Sequence, residues 1–260
     1  MTCANFYPLN HIEESYTRIT SNSENSFFPL ANLKNVLSTK LFRTQVGTTT
    51  AEVVFDFRSL KDVDAAIIQA PTVGTFGFSG AVTVEANGTN NFTSPAFTTT
   101  ITPNYSLGLG ITVFGSTESY RFWRVSVSTT SQYVELGNIY LGPKVTLSNN
   151  NIDFGWKYDL DDRSSMATNR YGQKYIDKIN DQIKITARYR LLTTEELETL
   201  LNVFDFAGQN YPIYFEVDPG EMIISDRERF AGRFYFTARP KITNNAFRLW
   251  DTNITLEESL

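Results

Sequence analysis

His11 and Cys3 are the only imidazole and the only thiol in this chain of 260 residues, which limits its chemistry at the outset. A Ser-His-acid or Cys-His arrangement would have to run through His11. That residue lies in a polar stretch beside no nucleophile motif, and the chain has no Gly-x-Ser-x-Gly elbow. One cysteine excludes an intrachain disulfide, and one Cys with one His cannot assemble a zinc site. Asp159, Asp161 and Asp162, with Asp153 nearby, could coordinate calcium through carboxylates and loop carbonyls. Their spacing fits no calcium-loop pattern, and a solvated loop accounts for them. A glycosidase needs two opposed carboxylates; 28 acidic residues make some such pair inevitable and single none out. The glycines at 74–80 and 108–110 lack both Gly-x-Gly-x-x-Gly and the Lys-Ser/Thr of a phosphate loop, so turns explain them. The expectation is a protein that is not an enzyme, with no catalytic residue, cofactor or metal.

What remains able to bind is aromatic. Trp123, Trp156 and Trp250 could stack on sugar rings if exposed, and Trp123 and Trp156 are the candidate glycan contacts. Each tryptophan also sits in or beside a strand, where core packing accounts for it. A sugar site needs an exposed Trp or Tyr platform beside Asp, Asn or Arg, and that combination separates saccharide binding from packing.

These residues sit in a chain that is 41% hydrophobic and 20% charged, enough to build a core. The length suits one large β domain or two smaller ones. Twenty Phe and 13 Tyr favour sheets and large contact surfaces. A net charge of −5 with scattered cations provides no basic field, so nucleic acid is not expected as a partner. The N-terminus has neither a basic region nor an apolar stretch of signal-peptide type, and no run of about 18 apolar residues exists. Synthesis in a cytoplasm without membrane insertion is the expectation. The Asn-x-Ser/Thr matches at Asn87, Asn91, Asn104 and Asn253 are then chance in an Asn- and Thr-rich chain.

Residues 1–26 read as a loose polar arm whose aromatics, Phe6, Tyr7 and Tyr16, with Phe27 just beyond, could dock on a neighbouring subunit. Strands follow at 51–57, 63–70, 81–88, 94–102 and 107–114. Residues 120–127 alternate strictly, with Arg121, Trp123, Val125 and Val127 on one face and Tyr120, Phe122, Arg124 and Ser126 on the other. A polar join at 128–132 and a return strand at 133–142, with Gly137 as a bulge, predict a closing hairpin of a β-sandwich.

Gly142-Pro143 marks a boundary between residues 27–143 and a second β domain, 144–260. In the second domain a turn is expected at 149–151, a polar loop at 159–165 and a long strand at 183–191. One amphipathic helix spans about 194–207. Thr193 and Glu196 form a capping box, Leu197, Leu200, Leu201 and Phe204 form one stripe, and Gly208 supplies the stop. Strands at 211–217, 230–237 and 247–256, with a turn at 218–220, complete the chain. The fold class is mainly β: two β-sandwich or barrel-like domains, the second carrying the helix.

Two resemblances follow from these pieces. Val-Val-Phe-Asp-Phe at 53–57, Ala-Val-Thr-Val-Glu-Ala at 81–86, Tyr-Arg-Phe-Trp-Arg-Val at 120–125 and Val-Glu-Leu-Gly-Asn-Ile-Tyr at 134–140 together resemble the discoidin or galactose-binding-like jelly roll. The order Tyr-Arg-Phe-Trp-Arg, then Glu-Leu-Gly-Asn-Ile-Tyr-Leu-Gly, then a β domain with one helix resembles structural proteins of tailed-bacteriophage tail tips, of distal-tail or baseplate-hub type. In that domain Tyr-Pro-Ile-Tyr-Phe-Glu-Val-Asp-Pro at 211–219 and Phe-Ala-Gly-Arg at 230–233 follow the helix. The resemblance covers roughly residues 50–260. It implies a virion component, made in the host cytoplasm, that forms a six-fold or three-fold homo-oligomeric ring. That ring would join the tail tube to the receptor-binding apparatus and contact other tail proteins. The jelly-roll-like half comes first here, the reverse of the usual distal-tail order, which leaves open a neighbouring adaptor. The alternative is a carbohydrate-binding or receptor-binding tail protein that takes a host surface glycan in loops of the first β domain.

Overall fold

The computed structural model describes residues 4–37, 40–71, 77–147, 152–153, 155–177, 181–217 and 228–259. The strands in chain order begin with β1 (Asn5–Tyr7), β2 (Arg18–Ser21), β3 (Phe42–Arg43) and β4 (Thr50–Gln69). They continue with β5 (Ser79–Asn87), β6 (Phe97–Ile101), β7 (Leu109–Ser128), β8 (Glu135–Leu136) and β9 (Ile139–Gly142). Next come β10 (Val145–Thr146), β11 (Lys157–Asp161), β12 (Ser165–Thr168), β13 (Lys174–Asp177) and β14 (Gln182–Leu192). Helix α1 (Thr194–Ala207) precedes β15 (Ile213–Glu216), β16 (Ala231–Phe236), β17 (Lys241–Ala246) and β18 (Leu249–Glu258). The protein is mainly β, with several antiparallel sheets and, among the described residues, a single α-helix.

A six-stranded sheet runs β2-β4-β7-β5-β6, with β9 also on β4. Its axis is the pair β4–β7, in register from Thr50↔Ser128 through Phe55↔Trp123 to Gln69↔Leu109. Val53, Phe55 and Phe57 on β4 and Trp123, Val125 and Val127 on β7 are buried on the face predicted by alternation. They meet Phe42 of β3 and Leu136 of β8, so the short β3–β8 pair covers the opposite side of this core. Each fully buried Val or Phe contributes about 1.5–3 kcal/mol.

The structure corrects several expectations here. The strands expected at 51–57 and 63–70 are one, β4; it changes register between Asp56 and Lys61, where Arg58 takes a positive φ of 65°. The pieces at 107–114 and 120–127 likewise merge in β7. The closing hairpin does not form: residues 133–142 split into β8, which pairs with β3, and β9, which pairs with β4. Gly137 separates them because a Cβ there would strike the Gln69 carbonyl; it permits a close backbone approach.

The chain leaves this sheet at Gly142 and enters an eight-stranded one at Val145. The second sheet runs β10-β1-β15-β16-β18-β14-β11, with β17 beside β18. Helix α1 packs Leu197, Leu200, Val203, Phe204 and Ala207 onto Ile185, Ala187, Phe234, Phe236 and Leu256. Its capping box is formed as the sequence predicts, and Gly208 closes it at a φ of 55°. The alternation along β14 breaks at Leu191, whose positive φ turns it outward and puts Leu192 into the core instead. The loop expected at 159–165 is partly strand: residues 157–161 form β11, and Ser165 opens the separate β12–β13 hairpin. The turns at 149–151 and 218–220 and Cys3 lie outside the described residues.

The largest correction concerns residues 1–26. Over 4–26 they are not a loose arm but a clasp shared by both sheets. β1 is an interior strand between β10 and β15, with Phe6 fully buried, whereas β2 adds to β4. Between the sheets a third core holds Tyr7, Ile67, Ile111, Tyr140 and Tyr214. Tyr140 stacks edge-on to Tyr7 at 5.8 Å and to Tyr214 at 5.7 Å, and each hydroxyl finds an acceptor. Burial pushes the Tyr140 and Tyr214 hydroxyls up, so both stay protonated.

Candidate functional site

The clasp also builds a cleft. Residues 15–17 lead into β2, whose Arg18 lies opposite Asp56 of β4 in the antiparallel backbone register, and the 3-10 turn Leu30–Lys34 rises beside them. Tyr16, Arg18, Leu30, Lys34 and Arg58 line an open depression of about 470 Å³. Thr17 fixes the approach: its Oγ1 donates to the His11 carbonyl at 2.7 Å, and its amide donates to Glu14 at 3.1 Å. His11 is buried, bridging Glu14 at 3.1 Å and the Asp62 carbonyl at 3.1 Å and packing on Phe57. It pins the loop; no nucleophile lies among these contacts.

Tyr16 remains 47% exposed, and the Lys61 ammonium stands 5.1 Å from its ring centre. Burial works to raise the Glu14 carboxyl, but hydrogen bonds from Tyr16 and His11 and the charges of His11 and Lys61 outweigh it and hold it low. Glu14 therefore stays ionised and anchors the tyrosine side of the cleft. Behind Arg58 and outside the lining of the cleft, Asp56 accepts from the Arg58 amide at 2.8 Å and from Arg121 at 2.7 and 3.0 Å, and pairs with the Arg58 guanidinium at 3.3 Å. The Arg121 hydrogen bond is the main reason the Asp56 carboxyl lies below its ordinary value. Lys34 donates its ammonium to the carbonyls of Glu14, Ser15 and Thr17, tying the 3-10 turn to the loop. Burial lowers its pKa.

The combination required of a saccharide site, an exposed tyrosine beside arginine, is thus present, though not at the tryptophans named from the sequence. Trp123 is wholly buried among Phe97, Phe114 and Tyr120, stacked on Phe114 at 6.0 Å, and donates its indole N–H to the Tyr120 carbonyl. It offers no face to a ligand. Trp156 is half-buried and sits edge-on to Phe230 at 5.3 Å. Trp250 packs against the second core. Asp153 is paired with Arg190 at 2.7 Å. Among the described residues no group of three or more His, Cys, Asp or Glu could hold a metal ion.

A second depression, about 560 Å³, lies between Arg163, Gln182, Gln209, Tyr235 and Glu257. Its cation is committed to Glu257 at 3.3 Å, and its tyrosine is half-buried.

No protein-family model matches this sequence, and no curated protein matches it either. Among solved structures, the chain is similar to the family 32 carbohydrate-binding module of C. perfringens NanJ in complex with galactose. The TM-score is 0.42 at 11% identity, over 55% of this chain and 99% of that one. The lectin domain of lectinolysin complexed with Lewis B antigen gives 0.42 at 13%, over 50% and 94%. Chitosan-binding module 1 of the chitosanase/glucanase from Paenibacillus sp. IK-5 gives 0.41 at 14%, over 52% and 99%. Likeness at this level carries neither ligand nor site residue over to this chain.

Proposed function

We propose that this chain is a non-catalytic binding protein that holds a saccharide in the Tyr16 cleft. One observation carries the reading: an exposed tyrosine ring, fixed by the clasp, faces a depression lined by Arg18 and Arg58. The apolar face of a tyrosine can lie against the C–H face of a sugar, while guanidinium donors fork onto ring oxygens and hydroxyls. Arg18, Lys34 and Arg58 stand on strand and 3-10 structure, and the hydrogen bonds of Thr17 and Lys34 hold the loop that carries Tyr16, which lowers the ordering cost of binding. The test is a glycan array read with the intact chain and with Tyr16→Ala, each checked for an unchanged melting profile. Retention of a saccharide that falls about tenfold or more in the variant is the expected result. No retained saccharide, or equal retention by the variant, would sink the reading.

A second reading, a structural component of a phage tail tip, is favoured by a different observation. The β12–β13 hairpin forms its own two-stranded sheet and exposes Met166, Tyr171 and Tyr175; β17 is exposed along its whole length, and Phe247 beyond it is 86% exposed. Large apolar side chains on projecting strands suit contact with other subunits. On this reading the chain forms a homo-oligomeric ring with other tail proteins in the virion, and the cleft faces a host glycan.

A further inference from the structure

We infer that the saccharide taken by the Tyr16 cleft bears an acidic group, a carboxylate or a sulfate. The inference rests on the saccharide reading of the cleft and narrows it. Three cations, Arg18, Lys34 and Arg58, line the depression and no carboxylate does, on a chain whose net charge is −5. An acidic protein that gathers three cations around one depression, with only Arg58 among them paired to a described carboxylate, concentrates positive potential there.

Each cation keeps charge to spare. Arg18 is exposed and its side chain makes no hydrogen bond or ion pair with the described residues. The Lys34 ammonium meets only carbonyl oxygens, which satisfy its donors without cancelling its charge. Arg58 and Arg121 share the single carboxylate of Asp56, so the trio keeps one net positive charge, with the Arg58 side chain 49% exposed at the cleft wall. A guanidinium free of internal partners matches the planar, two-oxygen geometry of a carboxylate or sulfate better than a lone hydroxyl. Tyr16 then supplies the platform for the sugar ring that carries the acid.

The experiment is calorimetric titration of the full chain with matched oligosaccharides at low salt. Lactose stands for the neutral form, sialyllactose for the carboxylate, and sulfated lactose for the sulfate. The expected result is about tenfold or more tighter binding of at least one acidic form than of lactose, with the two acidic arms identifying the group. The preference should shrink as salt is raised to several hundred millimolar, because partly exposed charges are screened. Arg18→Gln, at an exposed position, should weaken the acidic form by about tenfold or more and lactose by clearly less, so that most of that preference is lost, because a guanidinium gives a neutral hydroxyl one hydrogen bond but pairs with an acidic group by charge as well. Equal affinity for neutral and acidic forms, indifferent to Arg18→Gln but abolished by Tyr16→Ala, would overturn the inference and leave the saccharide reading standing. Binding of none of the three, with a glycan array also blank, would overturn both.

Discussion

Arg233 of β16 donates to Glu13 of the N-terminal clasp at 2.8 Å, with side-chain exposures of 2% and 7%. The Tyr211 hydroxyl adds a second hydrogen bond to Glu13, and Asn10 donates to it at 3.1 Å. A buried charge pair costs much of its attraction in desolvation, so its net worth is modest, but loss of one partner strands the other charge. Glu13→Ala and Arg233→Ala should each lower unfolding free energy by about 3–5 kcal/mol. The paired replacement Glu13→Leu with Arg233→Met should cost far less than the sum. Denaturant titration of all three variants checks this; additive losses would show that the pair is not a coupled unit.

The clasp makes a second prediction. Deletion of residues 1–26 removes β1 from the interior of the eight-stranded sheet and β2 from β4. The backbone edges of β10 and β15 would be left unpaired and the Phe6 site empty. The shortened chain should fail to give a cooperative melt by circular dichroism. A soluble product that melts like the intact chain would return residues 1–26 to the status of an arm.

Trp123→Ala tests packing against binding. The ring is enclosed by Phe97, Phe114 and Tyr120, so its removal should cost about 3–5 kcal/mol through lost burial and a residual cavity. Saccharide affinity of the remaining folded fraction should be unchanged, the reverse of Tyr16→Ala. A stable variant that had lost saccharide binding would put the site at Trp123 after all.

What could be read in the sequence depended on whether a residue's environment is visible in its near neighbours. β7 alternates because its two faces meet different surroundings, and α1 announces itself through Thr193, Glu196 and one apolar stripe. β1 gave no such sign: three residues, Asn5, Phe6 and Tyr7, are all buried, so no alternation exists to detect. β17 fails in the opposite way, since all six residues are exposed. The hairpin expected at residue 133 was lost because pairing partners such as Phe42↔Leu136 lie far apart in the chain. Tyr16 stood out as an aromatic in a polar stretch, but its neighbours Lys34 and Arg58 reach it only through the 3-10 turn and the register change in β4. The alternation named Trp123 correctly as a strand residue, and the same burial removed it from the surface.

Glu258 carries a pH prediction. Burial raises its carboxyl above the ordinary value, and a hydrogen bond from the Ile183 amide at 3.1 Å only partly offsets this. A raised folded-state pKa means that the folded protein favours the protonated acid. This contribution is therefore fully present below the unfolded pKa, about 4.3, and lost as pH rises through the folded value. Glu258→Gln keeps a neutral acceptor for Ile183. The variant should melt above the parent at pH 7 and level with it near pH 4. Asp56 and Asp251 lie below their ordinary values and act in the opposite direction, so the comparison must be parent against variant at each pH. A gap that stays constant with pH would show that the carboxyl is not the cause.

The projecting strands decide between an isolated binding module and a ring. Residues 165–177 form a hairpin separate from both sheets, and its exposed Met166, Tyr171 and Tyr175 contribute to neither core. Replacing the hairpin with a short Gly-Ser link should therefore leave the melting profile nearly intact, whereas cutting β1 should not. Native mass spectrometry and light scattering of the parent and the hairpin variant then test assembly directly. A parent that forms a closed trimer or hexamer and a variant that falls to monomer would make the hairpin a subunit contact and give the symmetry. A parent that remains monomeric at high concentration would leave those side chains for a different protein, and the ring would lose its structural argument.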